Sequence, residues 1–409
     1  MTEQKSLKRL VRERMSRTGE SYSTAHRHVT AHRREPAQVA PATYQPGLVP
    51  GYSSFGPESH QPSALVRHLL AAAGIEVSEP MVCGLGGGVG FMYAVFEYRQ
   101  VDHPLLTIVA QHHPMPWLSA VAQNLGLDLE TVHSSSQAAA RRKLDACLDR
   151  GEPASLTVGR GLLPQHPGVS PLEAADPYQV VVAGRHGDEY LVDDLAATPH
   201  LIDGERLLEA WAANRKGRFE QTTLVRSTTE PLVPDPLPGV ADATGRAIEM
   251  TADHLTGPVL GNTFDVNFGL SGMRRLMHEL RDGSTRLGWR RRFGSPAHAR
   301  YACRRLAECL TSAHTAYAAT RPLYARFLAE VHDLVPSGPL AGAVTCFEDS
   351  GRSWAALAQT AQAASDLRDE GLDPADVFSS FADRVESAVA HEERGIGLLR
   401  EHLALRTRG

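Results

Sequence analysis

The chain has 409 residues, 42% hydrophobic and 22% charged, with a formal net charge of −5. That is the composition of an ordinary globular protein with enough length for two or three domains. Five scattered cysteines, with no CxxC pair and no zinc-type cysteine/histidine spacing, exclude a disulfide framework and a structural zinc site and fit a reducing compartment. There is no apolar run near membrane-spanning length, and no apolar segment follows the basic start, so a cytoplasmic protein without a membrane partner is expected.

Residues 1–35 carry nine Lys/Arg against four Asp/Glu. They read as two short helices split at Thr18-Gly19, with Leu7, Leu10, Val11 and Met15 on one face of the first. A basic helix pair resembles half of a helix-turn-helix. No third helix completes a core, and the rest of the chain is acidic. A solvated or partner-docking arm is therefore expected rather than a nucleic-acid contact. Residues 36–58, PAQVAPATYQPGLVPGYSSFGPE, form a Pro/Gly-rich linker.

A mixed domain is expected over 59–226. SALVRHLLAAAG (63–74) has helical spacing and a glycine stop, and QAAARRKLDACLDRG (137–151) is a second helix with Cys147 on its apolar face. PLLTIVA (104–110), ASLTVG (154–159), YQVVVAG (178–184) and EYLVDD (189–194) read as strands. A second linker, 227–239, has four prolines, and 240–409 reads as a helical domain. Within it ARYACRRLAECLTSAHTAYAATRPLYARFLAEVHDLV breaks at Pro322, and Val377, Phe381, Val385 and Val389 make one buried stripe. NTFDVNFGLSGMRRLMHELRDG (262–283) turns helical after a polar start and could cross between the domains.

MVCGLGGGVGFMYAVFEY (81–98) is the most unusual stretch. Its glycines fail the dinucleotide fingerprint in every frame, and no lysine serves a Walker loop, so phosphate cradling is not expected. Cys83 at its lip would act as a nucleophile only with a histidine base beside it. His60, His112, His113, His133, His166 and His186 are candidates, none at a diagnostic spacing. Otherwise Cys83 is a small buried hydrophobe. His112 and His113 follow a strand, where one of them can line a pocket, but adjacent histidines on extended chain point apart and do not share a metal.

Several pieces together resemble a known family: SHQPSALVRHLL, SEPMVCGLGGGVGFMYAVFEY, DPYQVVVAGRHGDEYLVDD and, in the C-terminal half, AATRPLYARFLAEV. The segment from about His60 to Val225 is similar to the N-terminal domain family of butirosin biosynthesis protein H, and the helical remainder is similar to the domain of unknown function that commonly follows it. The resemblance implies an α+β, papain-like domain followed by a mostly α-helical one. It also implies acyltransferase chemistry, in which an aminoacyl group moves from a carrier-protein thioester to an amine. Such chemistry uses a Cys at the start of the first helix, a His at the start of a central strand and an acid on the next strand. Here the nucleophile position falls on Gln61, between His60 and Ser63, and the histidine position on Tyr178 or Gln179. The acid remains as Asp193, with Asp194 beside it.

The resemblance therefore implies a catalytically altered member that binds or transfers an acyl or aminoacyl intermediate, with no cofactor or metal. Gln61, Ser63, Gly86, Gly87, Gly88, Glu97, Tyr178, Gln179 and Asp194 are the candidate binding residues. One alternative is an active transferase or amide hydrolase with Cys83 as relocated nucleophile, His60, His112 or His113 as base, and Asp193 as acid. Another is a ligand-sensing regulator that uses the basic arm. An acyl carrier protein or a small acyl ligand is the expected partner. Arg274, Arg275 and Arg290–Arg292 are possible contacts for an acidic carrier surface, and the helical domain is a possible homodimer face.

Overall fold

Apolar runs bounded by glycine, proline and polar residues set the architecture, which the computed structural model describes for residues 46–56, 58–97, 103–166, 177–214, 218–225, 239–312, 316–367 and 373–407. The expected basic arm 1–35, the linker up to residue 45 and residues 227–238 of the second linker lie outside the described residues. Met1–Pro46 and Gly47–Gly409 are separate units by contact, and every helix and strand named here belongs to the second.

Its first elements are α1 (Gln61–Ala72) and α2 (Glu79–Leu85), then a hairpin of β1 (Val89–Phe96) and β2 (Leu105–Gln111). Next come α3 (Trp117–Leu125), β3 (Leu129–Ser134), α4 (Gln137–Asp149), β4 (Ala154–Gly159), β5 (Pro177–His186), β6 (Glu189–Asp193), β7 (His200–Asp203), α5 (Gly204–Asn214) and β8 (Phe219–Leu224). Helices α6 (Val240–Thr256), α7 (Gly269–Arg281), α8 (Trp289–Arg292), α9 (Pro296–Thr311), α10 (Arg321–Leu334), α11 (Gly338–Ser365) and α12 (Pro374–Arg406) complete the chain.

β3–β8 form one six-stranded sheet in the order β3-β8-β4-β5-β6-β7, antiparallel at every pairing, while β1 and β2 form a separate two-stranded sheet. The fold is α+β, a sheet region followed by a helical one. The strand expected at 104–110 is β2, but it belongs to the hairpin and not to the main sheet. Helix α1 starts two residues earlier than its periodicity predicts and stops before Gly74, whose φ of +82° only glycine adopts without strain.

The two regions share one continuous core. Segment 262–283 joins them as expected: Phe268 bridges Met92 of β1, and Tyr93 donates to Glu279 of α7 at 2.6 Å. The tightest join is Arg321 at the start of α10, fully buried against an equally buried Glu392 of α12. Its guanidinium donates to both Glu392 carboxylate oxygens, at 2.8 and 2.9 Å, and to the carbonyls of Gly90 in β1, Ala110 in β2 and Ala319. Ser350 and the Trp354 indole of α11 add donors to the same carboxylate. The predicted break at Pro322 falls just before it, since Pro322 sits in the first turn of α10, where its missing N–H costs nothing. In α12, Phe381, Val385 and Val389 are buried as predicted, but Phe378 rather than half-buried Val377 heads the stripe.

Candidate functional site

The glycine stretch resolves into the end of α2, a turn and the start of β1. Gly86 packs on the Trp117 indole and Gly87 on the His112 imidazole, while Gly88 packs on the Tyr324 phenol of α10. A Cβ on Gly87 would lie 2.4 Å from the His112 ring at a φ of +101°. The run is thus a seam that lets aromatic side chains approach the backbone, and Gly86, Gly87 and Gly88, expected as ligand contacts, are buried within it.

Cys83 lies inside the same seam with no solvent exposure. Burial pushes its thiol well above the ordinary range and Glu79 adds to the rise, while the Ser63 hydroxyl and Arg326 offset only part of it. A thiol held neutral and sealed from solvent lacks what the relocated-nucleophile alternative requires. The other four cysteines are buried as well.

His112 and His113 also belong to the seam. The imidazoles of His112 and of His254 in α6 pack with centroids 4.4 Å apart, and burial, reinforced by His254 and His113, pushes His112 down to about 3. His113 stacks on Phe268, and its carbonyl meets His254 Nε2. Neither histidine is brought to Gln61 or Tyr178. Glu97 pairs with Arg292 of α8 at 3.4 Å, also away from them.

His60, fully buried, caps the entry to α1 without a side-chain cap bond. Its Nδ1 lies 2.7 Å from the Ser63 hydroxyl and its Nε2 2.7 Å from Gln111 Oε1 of β2, while its backbone N–H donates to Glu79 at 2.6 Å. His60 and Ser63 therefore anchor the start of α1 to α2 and to the hairpin.

That anchoring fixes Gln61 against β5, where its Nε2 donates to the Gln179 carbonyl at 3.1 Å. The disposition implied by the papain-type resemblance is thus present: the start of the first helix meets the start of a central strand, with acids at the end of the next. The two acids diverge. Asp193 is buried and accepts from Tyr52 at 2.6 Å, from the Leu195 N–H at 3.0 Å and, at 2.7 Å, from Nδ1 of His68 in α1. It ties β6 to α1 and faces His68 rather than Tyr178.

Asp194 is the acid that faces the substituted histidine position. Tyr178 donates its phenolic hydrogen to Asp194 Oδ1, and Gln165 Nε2 and His166 Nε2 lie 3.1 and 2.6 Å from Oδ2. The His166 ring stands edge-on to Tyr178 at 5.2 Å, and the Arg160 guanidinium covers the phenol at 4.9 Å. Burial first, then the Asp194 charge and hydrogen bond, pushes the Tyr178 hydroxyl well up, against a smaller opposing pull from Arg160. Tyr178 is therefore a fixed donor and no general base at neutral pH. Asp194 has a side chain 1% exposed and His166 one 19% exposed, so the histidine alone of this pair reaches solvent. Sequence reasoning missed Arg160 and Gln165 and treated His166 only as a possible partner for Cys83.

Residues 60–195 match the family model for butirosin biosynthesis protein H, N-terminal, and residues 215–399 match the model for Domain of unknown function (DUF4872). The chain carries these two domains in tandem. The butirosin-type domain contains the whole Gln61, Tyr178 and Asp194 arrangement, and the second contains Arg321 and Glu392. A search of curated proteins found no match. Among solved structures, a Bacillus anthracis protein described as a C39-like peptidase is similar at 14% identity, covering 45% of this chain and 99% of that one. Its TM-score of 0.31 is too low to bear on fold or activity. Among the described residues, no cluster of three or more metal-ligating side chains occurs, and no helix is long and apolar enough to cross a membrane.

Proposed function

We propose that this chain is a catalytically altered member of the butirosin biosynthesis protein H family that engages an acyl or aminoacyl thioester, carried on an acyl carrier protein, without a covalent cysteine intermediate. The observation that carries the proposal is what stands at the family's reacting positions. Gln61 offers an amide already bonded to the Gln179 carbonyl, and Tyr178 offers a phenol that donates to Asp194. Neither group can take up the acyl group as a covalent intermediate, because neither is a nucleophile at neutral pH. Cys83 does not substitute for them, being buried with its thiol held neutral.

Four of the five arginines named from sequence as carrier contacts are engaged within the chain. Arg274 pairs with Glu393, Arg275 with Glu279 and Asn267, and Arg292 with Glu279, while Arg290 donates to the Ala375 carbonyl. Docking near Tyr178 and Gln179, both partly exposed, is proposed instead.

The test places a thiol where the family has one. The variant Gln61→Cys, incubated with an aminoacyl pantetheine thioester, should gain the mass of the acyl group at residue 61, since a helix N-terminus favours the thiolate. Wild type should bind the thioester and gain no mass. A Gln61→Cys protein that folds and never acylates, or wild type that fails to bind, overturns the proposal.

A further inference from the structure

We infer that His166, held by Asp194, is a general base that lets a small amine attack the bound thioester directly, in a single displacement with no acyl-enzyme. The inference rests on the proposed engagement of an aminoacyl thioester and adds the chemistry done there.

The geometry starts from Asp194, whose carboxylate can only accept. Tyr178 occupies Oδ1, and Gln165 and His166 share Oδ2. The hydrogen on the His166 ring is therefore on Nε2, and Nδ1 is the basic nitrogen. This is a base fixed in one tautomer by a buried acid, the arrangement that general-base catalysis requires. The histidine expected at the start of β5 is absent, yet an imidazole from the chain just beyond β4 reaches the same acid and stands against the same ring. Among the described residues, the charged and titratable groups facing His166 are Asp194, Tyr178 and, across the phenol, Arg160. Tyr178 keeps its proton, and the Asp194 carboxylate lies against the ring that becomes an imidazolium during reaction.

In the step, the acceptor nitrogen bonds to the thioester carbonyl carbon as Nδ1 of His166 takes its proton. The carbon–sulfur bond then breaks with its electron pair on sulfur, and the imidazolium gives that proton to the departing thiolate. Products are an amide and a free thiol, and the protein ends unchanged.

The experiment uses the full chain, an aminoacyl pantetheine thioester and glycinamide as acceptor, with amide formation followed by chromatography and thioester binding measured alongside. Wild type should form amide with no initial burst of thiol. His166→Ala should lower kcat/KM by on the order of 100-fold or more while binding is kept. Asp194→Asn, which takes away the carboxylate that fixes the ring, should also lower kcat/KM and should lower it no further in the His166→Ala background, a non-additivity that a purely structural role would not produce. Binding without turnover, or full activity in His166→Ala, overturns the inference and leaves the binding proposal standing, whereas a burst of thiol overturns the inference and the absence of a covalent intermediate together. Absence of thioester binding by wild type overturns both.

Discussion

Glu392→Gln is expected to destabilise the protein far more than Glu393→Gln, although the two are neighbours on α12 and lose the same charge. Glu392 and Arg321 are both fully buried, and four donors converge on the carboxylate, two from Arg321 and one each from Ser350 and Trp354. Neutralising it leaves a guanidinium uncompensated in the core, which costs about 3–5 kcal/mol. Glu393 pairs with Arg274 at the surface, both side chains roughly half exposed, and such a pair contributes less than about 1 kcal/mol. The double variant Arg321→Leu/Glu392→Leu removes both charges but orphans the carbonyls of Gly90, Ala110 and Ala319. Each buried carbonyl left without a donor costs about 1–3 kcal/mol, so this pair should not be replaceable by apolar residues at little cost. Guanidinium unfolding followed by far-UV circular dichroism, with the three variants beside wild type, provides the comparison. Equal midpoints for Glu392→Gln and Glu393→Gln, or a double variant as stable as wild type, would refute the reasoning.

Iodoacetamide on native protein at neutral pH should leave Cys83 unlabelled, and labelling should appear only on denaturation; rapid selective labelling would restore it as a nucleophile. Gly87→Ala should destabilise by about 1–3 kcal/mol, because the new Cβ meets the His112 ring and the positive φ strains any other residue; an unshifted denaturation midpoint would contradict the packing of the seam. His112 is held down to about 3 in the folded chain, so the unfolded chain binds its proton first and stability falls as the pH drops below the ordinary histidine range. The contribution of this one residue between pH 7 and pH 4.5 is about 2–3 kcal/mol, and His112→Gln should flatten the stability profile by that amount.

Strands β4, β5 and β6 were legible because each is an apolar run between polar or glycine stops, and α1, α4 and α12 because their apolar residues recur at helical spacing. β1 was hidden by glycines whose role is to admit aromatic rings from elsewhere in the chain, and β3 by a polar composition suited to a sheet edge. The position of the site followed from the family resemblance at Gln61 and Tyr178, but the choice between Asp193 and Asp194 did not. Adjacent residues at a strand end are equivalent in sequence, and what separates them is the alternation of side chains along extended chain, which leaves one acid facing His68 and the other facing Tyr178. His166 lies 12 residues before Tyr178, and it reaches Asp194 from the described residues 160–166 that follow β4. No spacing rule would have selected it.

The most direct test of the central claim is the intact mass of wild-type protein, acid-quenched while it is turning over an aminoacyl pantetheine thioester with glycinamide. An unmodified mass at every time point, while amide accumulates, is the result expected of a single displacement through His166. An added acyl mass that appears before amide and maps to Cys83 or any other side chain would contradict it.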